Sequence, residues 1–158
     1  MEQTSDNQKR QKVLLMTRQF FDKYFEQTEF NNNFDYSESF AISFFDVVSS
    51  YNTKKNQKFA KSLIKNINFL LKLKPNFLRH NNFDPVKGDK NKYLYEIHYS
   101  NEPDPYRVAF AVSEDRLRIV FLYIFLENKI TWKRVLKDKL PSKQEHEEEL
   151  GYSFQMRR

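Results

Sequence analysis

Cysteine is absent from the 158 residues, which excludes disulfides, thiolate metal sites, iron–sulfur clusters and cysteine nucleophiles together. Glycine occurs only at Gly88 and Gly151, so no glycine-rich phosphate loop or dinucleotide fingerprint can be written anywhere in the chain. Enzymes that hold nucleotide cofactors by such loops drop out. The longest strongly apolar run, Ile119–Leu126, has eight residues, against the roughly 20 that a membrane-spanning helix needs. The first ten residues are polar and lack the apolar core of a signal peptide, so a cytoplasmic protein with no membrane partner is expected.

Aromatic residues and positive charge are plentiful. Sixteen Phe, nine Tyr and one Trp supply core volume in a few large side chains, enough for one compact domain. The net charge of +6 is unevenly spread: residues 1–40 hold five Lys or Arg against seven Asp or Glu, whereas residues 54–92 hold eleven basic residues against Asp84 and Asp89 alone. Such density suits a polyanionic partner through counterion release and steering, and it equally suits a solvated helix face. The run Glu145, Glu147, Glu148 and Glu149 reads as an exposed acidic helix surface.

Periodicity predicts an α+β chain. Val13, Met16, Phe20 and Tyr24 recur at helical spacing, with Leu14, Phe21 and Phe25 beside them, so residues 9–29 read as an amphipathic helix ending near Asn31 to Asn33. Over 37–44, Phe40, Ile42 and Phe44 alternate with small residues, which predicts a half-buried strand. Residues 45–51 can form a short helix or turn, and a helix follows over 54–74, with Phe59, Leu63, Ile67 and Leu70 on one face, Asn52-Thr53 as its cap and Pro75 as its stop. Residues 76–92 read as a basic loop. Strands at 94–99, 106–112 and 117–126 then form an antiparallel meander. Tyr95, Ile97, Val108, Phe110 and Val112 share one face, and Leu94, Glu96, His98, Arg107, Ala109 and Ala111 the other. The last strand is apolar on both sides, with Ile119, Phe121, Tyr123 and Phe125 opposed to Val120, Leu122, Ile124 and Leu126, so it is central. A short basic helix is expected over 131–140, and Ser142 caps a helix that Gly151 ends.

Three stretches carry a family resemblance. Leu94-Tyr-Glu-Ile-His-Tyr99 is similar to a leucine–(tryptophan or tyrosine)–glutamate–(leucine or isoleucine)–arginine strand, and Tyr106-Arg-Val-Ala-Phe110 to a tyrosine–arginine–hydrophobic strand. Residues 119–125, followed by Lys129 and Pro141-Ser-Lys-Gln-Glu145, look like a buried strand, basic turn and helix start. With the order strand, helix, helix, basic loop, meander and C-terminal helix, the chain resembles the RelE/ParE superfamily of bacterial toxins, and within it the phage-related HigB-like branch. The likeness covers about residues 40–150. It departs at Phe125-Leu-Glu-Asn-Lys129, where the branch carries further basic residues, and at His98, where the branch usually has arginine.

The resemblance implies a RelE-like fold with a four-stranded, mainly antiparallel sheet: residues 37–150 as the toxin domain, 1–36 as an added helical extension and 151–158 as a tail. It also implies cleavage of messenger RNA at the ribosome without metal or cofactor, and neutralisation by a cognate antitoxin. Other branches inhibit DNA gyrase.

Metal-free RNA cleavage needs a base for the ribose 2′-hydroxyl, cations for the charge developing on the phosphate, and an acid for the departing 5′-oxygen. Glu96 and His98 are candidates for the base, Arg107 for the phosphate clamp, and Lys129 or Arg134 for further charge or the acid. Lys54, Lys58, Lys61 and Lys65 on the helix, with Lys87, Lys90 and Lys92 in the loop, are candidates for RNA contact. Other readings stay open. Glu96 and Arg107 suit a cross-strand ion pair worth roughly 0.2–1 kcal/mol, His98 a structural imidazole, and the lysines a solvated surface. A non-catalytic binding module on the same fold and an unrelated basic nucleic-acid-binding domain are the rival functions. His146 lacks the second histidine of a zinc-protease helix, and no metal site is predicted. Trp132 is expected to pack. The N-terminal helix is expected either to cover the second face of the 117–126 strand or to mediate self-association.

Overall fold

The computed structural model describes residues 2–24, 34–73, 83–99, 105–115 and 118–157. The element order is α1 (Glu2–Tyr24), β1 (Phe34–Tyr36), α2 (Glu38–Ser49), α3 (Thr53–Leu73), β2 (Phe83–Pro85), β3 (Tyr95–Tyr99), β4 (Tyr106–Val112), β5 (Ile119–Leu126) and α4 (Lys143–Leu150). Between β5 and α4, a helical turn at Trp132–Arg134 runs into a π-helical turn at Val135–Lys139. The fold is α+β. Its sheet has five strands in the order β1-β5-β4-β3-β2, not four, and it is mixed: β1 runs parallel to β5 while the other pairs are antiparallel. Two of the five were not expected: β1, in the stretch read as part of the N-terminal extension, and β2, inside the stretch read as a loop, each with three paired residues and so no periodicity to detect. The Asn31–Asn33 turn and the Pro75 stop lie outside the described residues.

The strand expected over 37–44 is a helix. Phe40 and Phe44 are two strand periods apart but also one helical turn apart, and Val47 continues the helical series. Ser37 decides between the two periods by capping α2, its Oγ accepting the Phe40 N–H at 3.2 Å. Phe40, Phe44 and Val47 are buried while Ile42, which a strand would have hidden with them, is 40% exposed. The serines have a second use. β1 pairs only with Ile119 to Phe121, so the edge of β5 beyond Phe121 lacks a strand partner. Ser37 and Ser39 hydroxyls donate to the Leu122 carbonyl at 3.2 and 2.6 Å, and Ser43 Oγ accepts the Ile124 N–H at 3.1 Å. Buried backbone groups are thereby satisfied without a longer β1.

Helices and sheet enclose one large core. Phe59, Leu63, Ile67 and Leu70 of α3 meet Tyr95, Ile97, Val108 and Phe110 of the sheet, as the periodicity of both elements predicts. A polar link crosses this interface: Asn66 Nδ2 donates to the buried Tyr106 hydroxyl at 2.8 Å, and Ser62 Oγ lies 3.1 Å from it. Asn52 Oδ1 accepts the Lys55 N–H at 2.9 Å and caps α3 as expected. α1 joins the same core rather than the second face of β5. Among its described side chains, Thr17 and Phe21 are buried, whereas Met16, placed in the predicted stripe, is 43% exposed. The Phe21 ring lies 5.6, 5.3, 6.0 and 5.9 Å from those of Phe34, Tyr36, Phe40 and Phe44.

The other sheet face is covered by the C-terminal segment. Leu94, Ala109, Ala111, Val120 and Leu122 pack against Phe154, with Trp132, Leu136, Leu150 and Tyr152 around them. Ser142 and Glu145 form a reciprocal capping box at the start of α4, and Gly151 ends the helix at φ +84°, a conformation that favours glycine. Beyond it, Gln155 N–H bonds the Val112 carbonyl at 2.8 Å. Arg157 donates to the carbonyls of Leu94, Val86 and Asn91 at 2.5, 2.8 and 2.9 Å, holding the loop between β2 and β3. No helix among the described residues is long and apolar enough to cross a membrane.

Phe21→Ala should lower stability by about 3–5 kcal/mol, since its ring is fully enclosed among four others. Urea unfolding checks this; a loss below 1 kcal/mol would mean that α1 is only peripheral to the core.

Candidate active site

Glu96 and His98 are two apart on β3 and face the same side of the sheet, and the register sets His98 directly opposite Arg107 on β4. Arg107 Nη1 donates to both oxygens of Glu96, at 2.9 and 3.1 Å. The three residues singled out from sequence therefore meet.

A fourth residue joins them through an irregularity in β5. Ala109 pairs with Tyr123 and Phe110 with Phe121, so Leu122 is an extra residue, a β-bulge. The bulge inverts the alternation. Ile119 and Phe121 face the helices, but beyond Leu122 it is Ile124 and Leu126 that do so, and Tyr123 and Phe125 turn to the opposite face. The predicted two-sided division of this strand is thus correct up to Leu122 and reversed after it. Glu127, which follows with the parity of Phe125, lands beside Arg107: Nε donates to Glu127 Oε1 at 2.5 Å, and His98 Nε2 is 3.2 Å from the same oxygen. Sequence reasoning counted Glu127 only as a departure from a basic turn. A strand apolar on both sides carries no parity signal from which its place could have been read.

The cluster is graded from buried to open. Side-chain exposure is 11% for Glu96, 24% for Arg107, 26% for Glu127 and 33% for His98, so His98 and Glu127 form the solvent rim. Burial opposes the Arg107 charge, but the hydrogen bond with Glu127 and the negative charges of Glu96 and Glu127 outweigh it and raise its pKa further. With His98 neutral, two carboxylates and one guanidinium leave the cluster at −1. Chemically it offers an accessible imidazole for proton transfer beside a fixed cation.

The remaining candidates lie elsewhere. Lys129 is exposed in the turn after β5 and lines a shallow cavity of about 160 Å3 with Asp46 and Ser50 of α2. Arg134 is exposed and pairs with Asp138 at 3.8 Å. Neither has a bond to the cluster among those described. Lys54, Lys58, Lys61 and Lys65 lie exposed along α3, spaced as one stripe away from its buried face. Lys87 and Lys90 are exposed, and Lys92 half-buried, in the loop that Arg157 holds. Trp132 packs edge-on against Phe125 at 5.1 Å. Among the described residues, no group of three or more His, Asp or Glu side chains could hold a metal ion. No family model matches the chain, and no curated protein or solved structure matches it.

A second histidine was placed only by the fold. His146 of α4 is fully buried, with Nε2 3.0 Å from Ser39 Oγ and Nδ1 without a partner. The Ser39 hydroxyl hydrogen goes to the Leu122 carbonyl, so Nε2 carries the imidazole proton and donates to Oγ. This pair is a structural strut, since no substrate can reach it. Burial pushes the His146 pKa down to about 4, with Glu145 opposing weakly. The unfolded chain, with an ordinary histidine near 6.5, then binds the extra proton first. The stabilisation is complete above pH 6.5 and declines as the pH falls toward 4, by about 2–3 kcal/mol. Urea unfolding of the native chain and of His146→Leu at pH 4.5, 5.5 and 7 should reveal this slope in the first and its loss in the second.

Proposed function

We propose that the chain is a RelE/ParE-like toxin of a toxin–antitoxin module that cleaves messenger RNA at the ribosome without a metal. The observation that carries this reading is the meeting of His98, Arg107, Glu96 and Glu127 on one sheet face, with His98 at the rim. The chain order supports it in part: α3, the β3–β5 meander and α4 follow one another as the resemblance implies, whereas its opening strand is helix α2 and β1 lies before residue 40.

In the proposed reaction, His98 takes the proton of a ribose 2′-hydroxyl as that oxygen attacks the adjacent phosphorus. The bond from phosphorus to the 5′-oxygen breaks, leaving a 2′,3′-cyclic phosphate, and the 5′-oxygen gains a proton from an acid. Solvent is the candidate donor, since Lys129 lies beside α2 and has no described bond to the cluster. Arg107 stabilises the charge developing on the phosphate oxygens. Glu96, nearly buried and bonded through both oxygens to Arg107, positions the guanidinium and is the weaker candidate base. The α3 lysines contribute sequence-independent attraction to the RNA backbone. An antitoxin is the expected partner that keeps the site inactive.

One observation favours a second reading. Arg107 is already neutralised by two carboxylates, which suits a non-catalytic binding module such as a gyrase inhibitor.

Arg107→Ala should abolish growth arrest and reduce message cleavage at least a hundredfold, read by primer extension in a translation extract. Undiminished cleavage would remove Arg107 from the chemistry. Absence of new 5′ ends with the native protein, together with blocked gyrase supercoiling, would select the second reading. Replacing Lys58, Lys61 and Lys65 by Ala together should weaken RNA binding and reduce the salt dependence by a slope of about 3.

A further inference from the structure

Glu127 occupies the place of an anion. One of its carboxylate oxygens lies between the two groups that the proposed reaction assigns to phosphate binding and proton transfer, accepting from Arg107 Nε at 2.5 Å and standing 3.2 Å from His98 Nε2. The two carboxylates of the cluster are held differently. Glu96 sits within β3, nearly buried, with both oxygens on Nη1. Glu127 is the first residue beyond β5, at the solvent rim, and its backbone is fixed by an N–H bond to the Pro105 carbonyl at 2.9 Å. Its side chain can therefore rotate into solvent about its own torsions while the strand stays in place.

We infer that the Glu127 carboxylate is an internal stand-in for a phosphodiester, closing the site until an RNA backbone displaces it. This rests on the reading of the site as one that acts on RNA. The charge arithmetic selects the ligand class. A phosphodiester carries one negative charge, so exchanging it for the carboxylate leaves the cluster at −1. Adding it beside Glu127 would instead crowd three anionic groups around one guanidinium. A terminal phosphate monoester, mostly doubly charged at neutral pH, overshoots the exchange. The site accordingly takes internal phosphodiester links in preference to phosphorylated chain ends. The bulge at Leu122 is what makes this possible, because without it the parity of β5 would point residue 127 toward the helices.

The test compares the native chain with Glu127→Gln, which keeps the shape and removes the charge, and Glu127→Ala, which removes both. A ten-nucleotide RNA with unphosphorylated ends and blocked 2′-hydroxyls serves as the probe, with binding followed by fluorescence anisotropy and by the His98 ring resonances. The inference expects binding at least tenfold tighter in Glu127→Ala, a salt slope steeper by about one, and an intermediate gain in Glu127→Gln. Unchanged or weaker binding in both variants, with native-like amide spectra, overturns it. Cleavage of unblocked RNA is read separately. Tighter binding at His98 without cleavage by any of the three proteins upholds the stand-in and removes the nuclease reading. Cleavage by the native chain without a gain in either variant does the reverse.

Discussion

β5 has four sides to satisfy, and the rest of the molecule is arranged around that requirement. One edge takes β4 along its length. The other takes β1 for three residues and then the hydroxyls of Ser37, Ser39 and Ser43, because a strand buried on both faces cannot leave its carbonyl and amide groups without partners. α1, α2 and α3 cover one face, and the chain after β5 returns to cover the other. The buried serine and histidine side chains follow from the same requirement: Ser39 serves Leu122, and His146 in turn serves Ser39.

The candidate site arises where that burial ends. At the far end of β3, β4 and β5, the sheet face passes from apolar side chains covered by Phe154 and Trp132 to the charged group around Arg107. A half-buried guanidinium needs compensation, and it has two carboxylates. That arrangement fixes the Arg107 side chain and places His98 at the rim. It also means that any added anion would compete with the protein's own carboxylates, which separates this arrangement from an open basic pocket. The exposed lysines of α3 carry positive charge on another part of the surface.

Agreement and disagreement with the sequence reading have the same origin in period. α3, β3 and β4 each show one period over enough residues to exclude the other, α4 is bounded by its cap and its stop, and each forms where it was expected. The stretch 37–44 satisfied both periods, and only the Ser37 cap with the continuation to Val47 separates them. β1 and β2 have three residues each, too few for any period, and both exist because a longer neighbour offers them an edge. In α1, Met16 matched the stripe numerically yet lies outward, since Thr17 and Phe21 define the side that α2 covers.

Local chemistry along the chain was sufficient for the α+β composition, the meander, the two-sided character of β5, and the shared face of Glu96, His98 and Arg107, because each depends on side-chain spacing within one element or across adjacent strands. Tertiary structure alone decided that β1 runs parallel to β5, that the C-terminal segment rather than α1 covers the second face, and that Glu127 enters the site. These depend on how distant segments compete for the same buried surface. A single bulged residue, invisible in an apolar run, is enough to exchange the faces of everything after it.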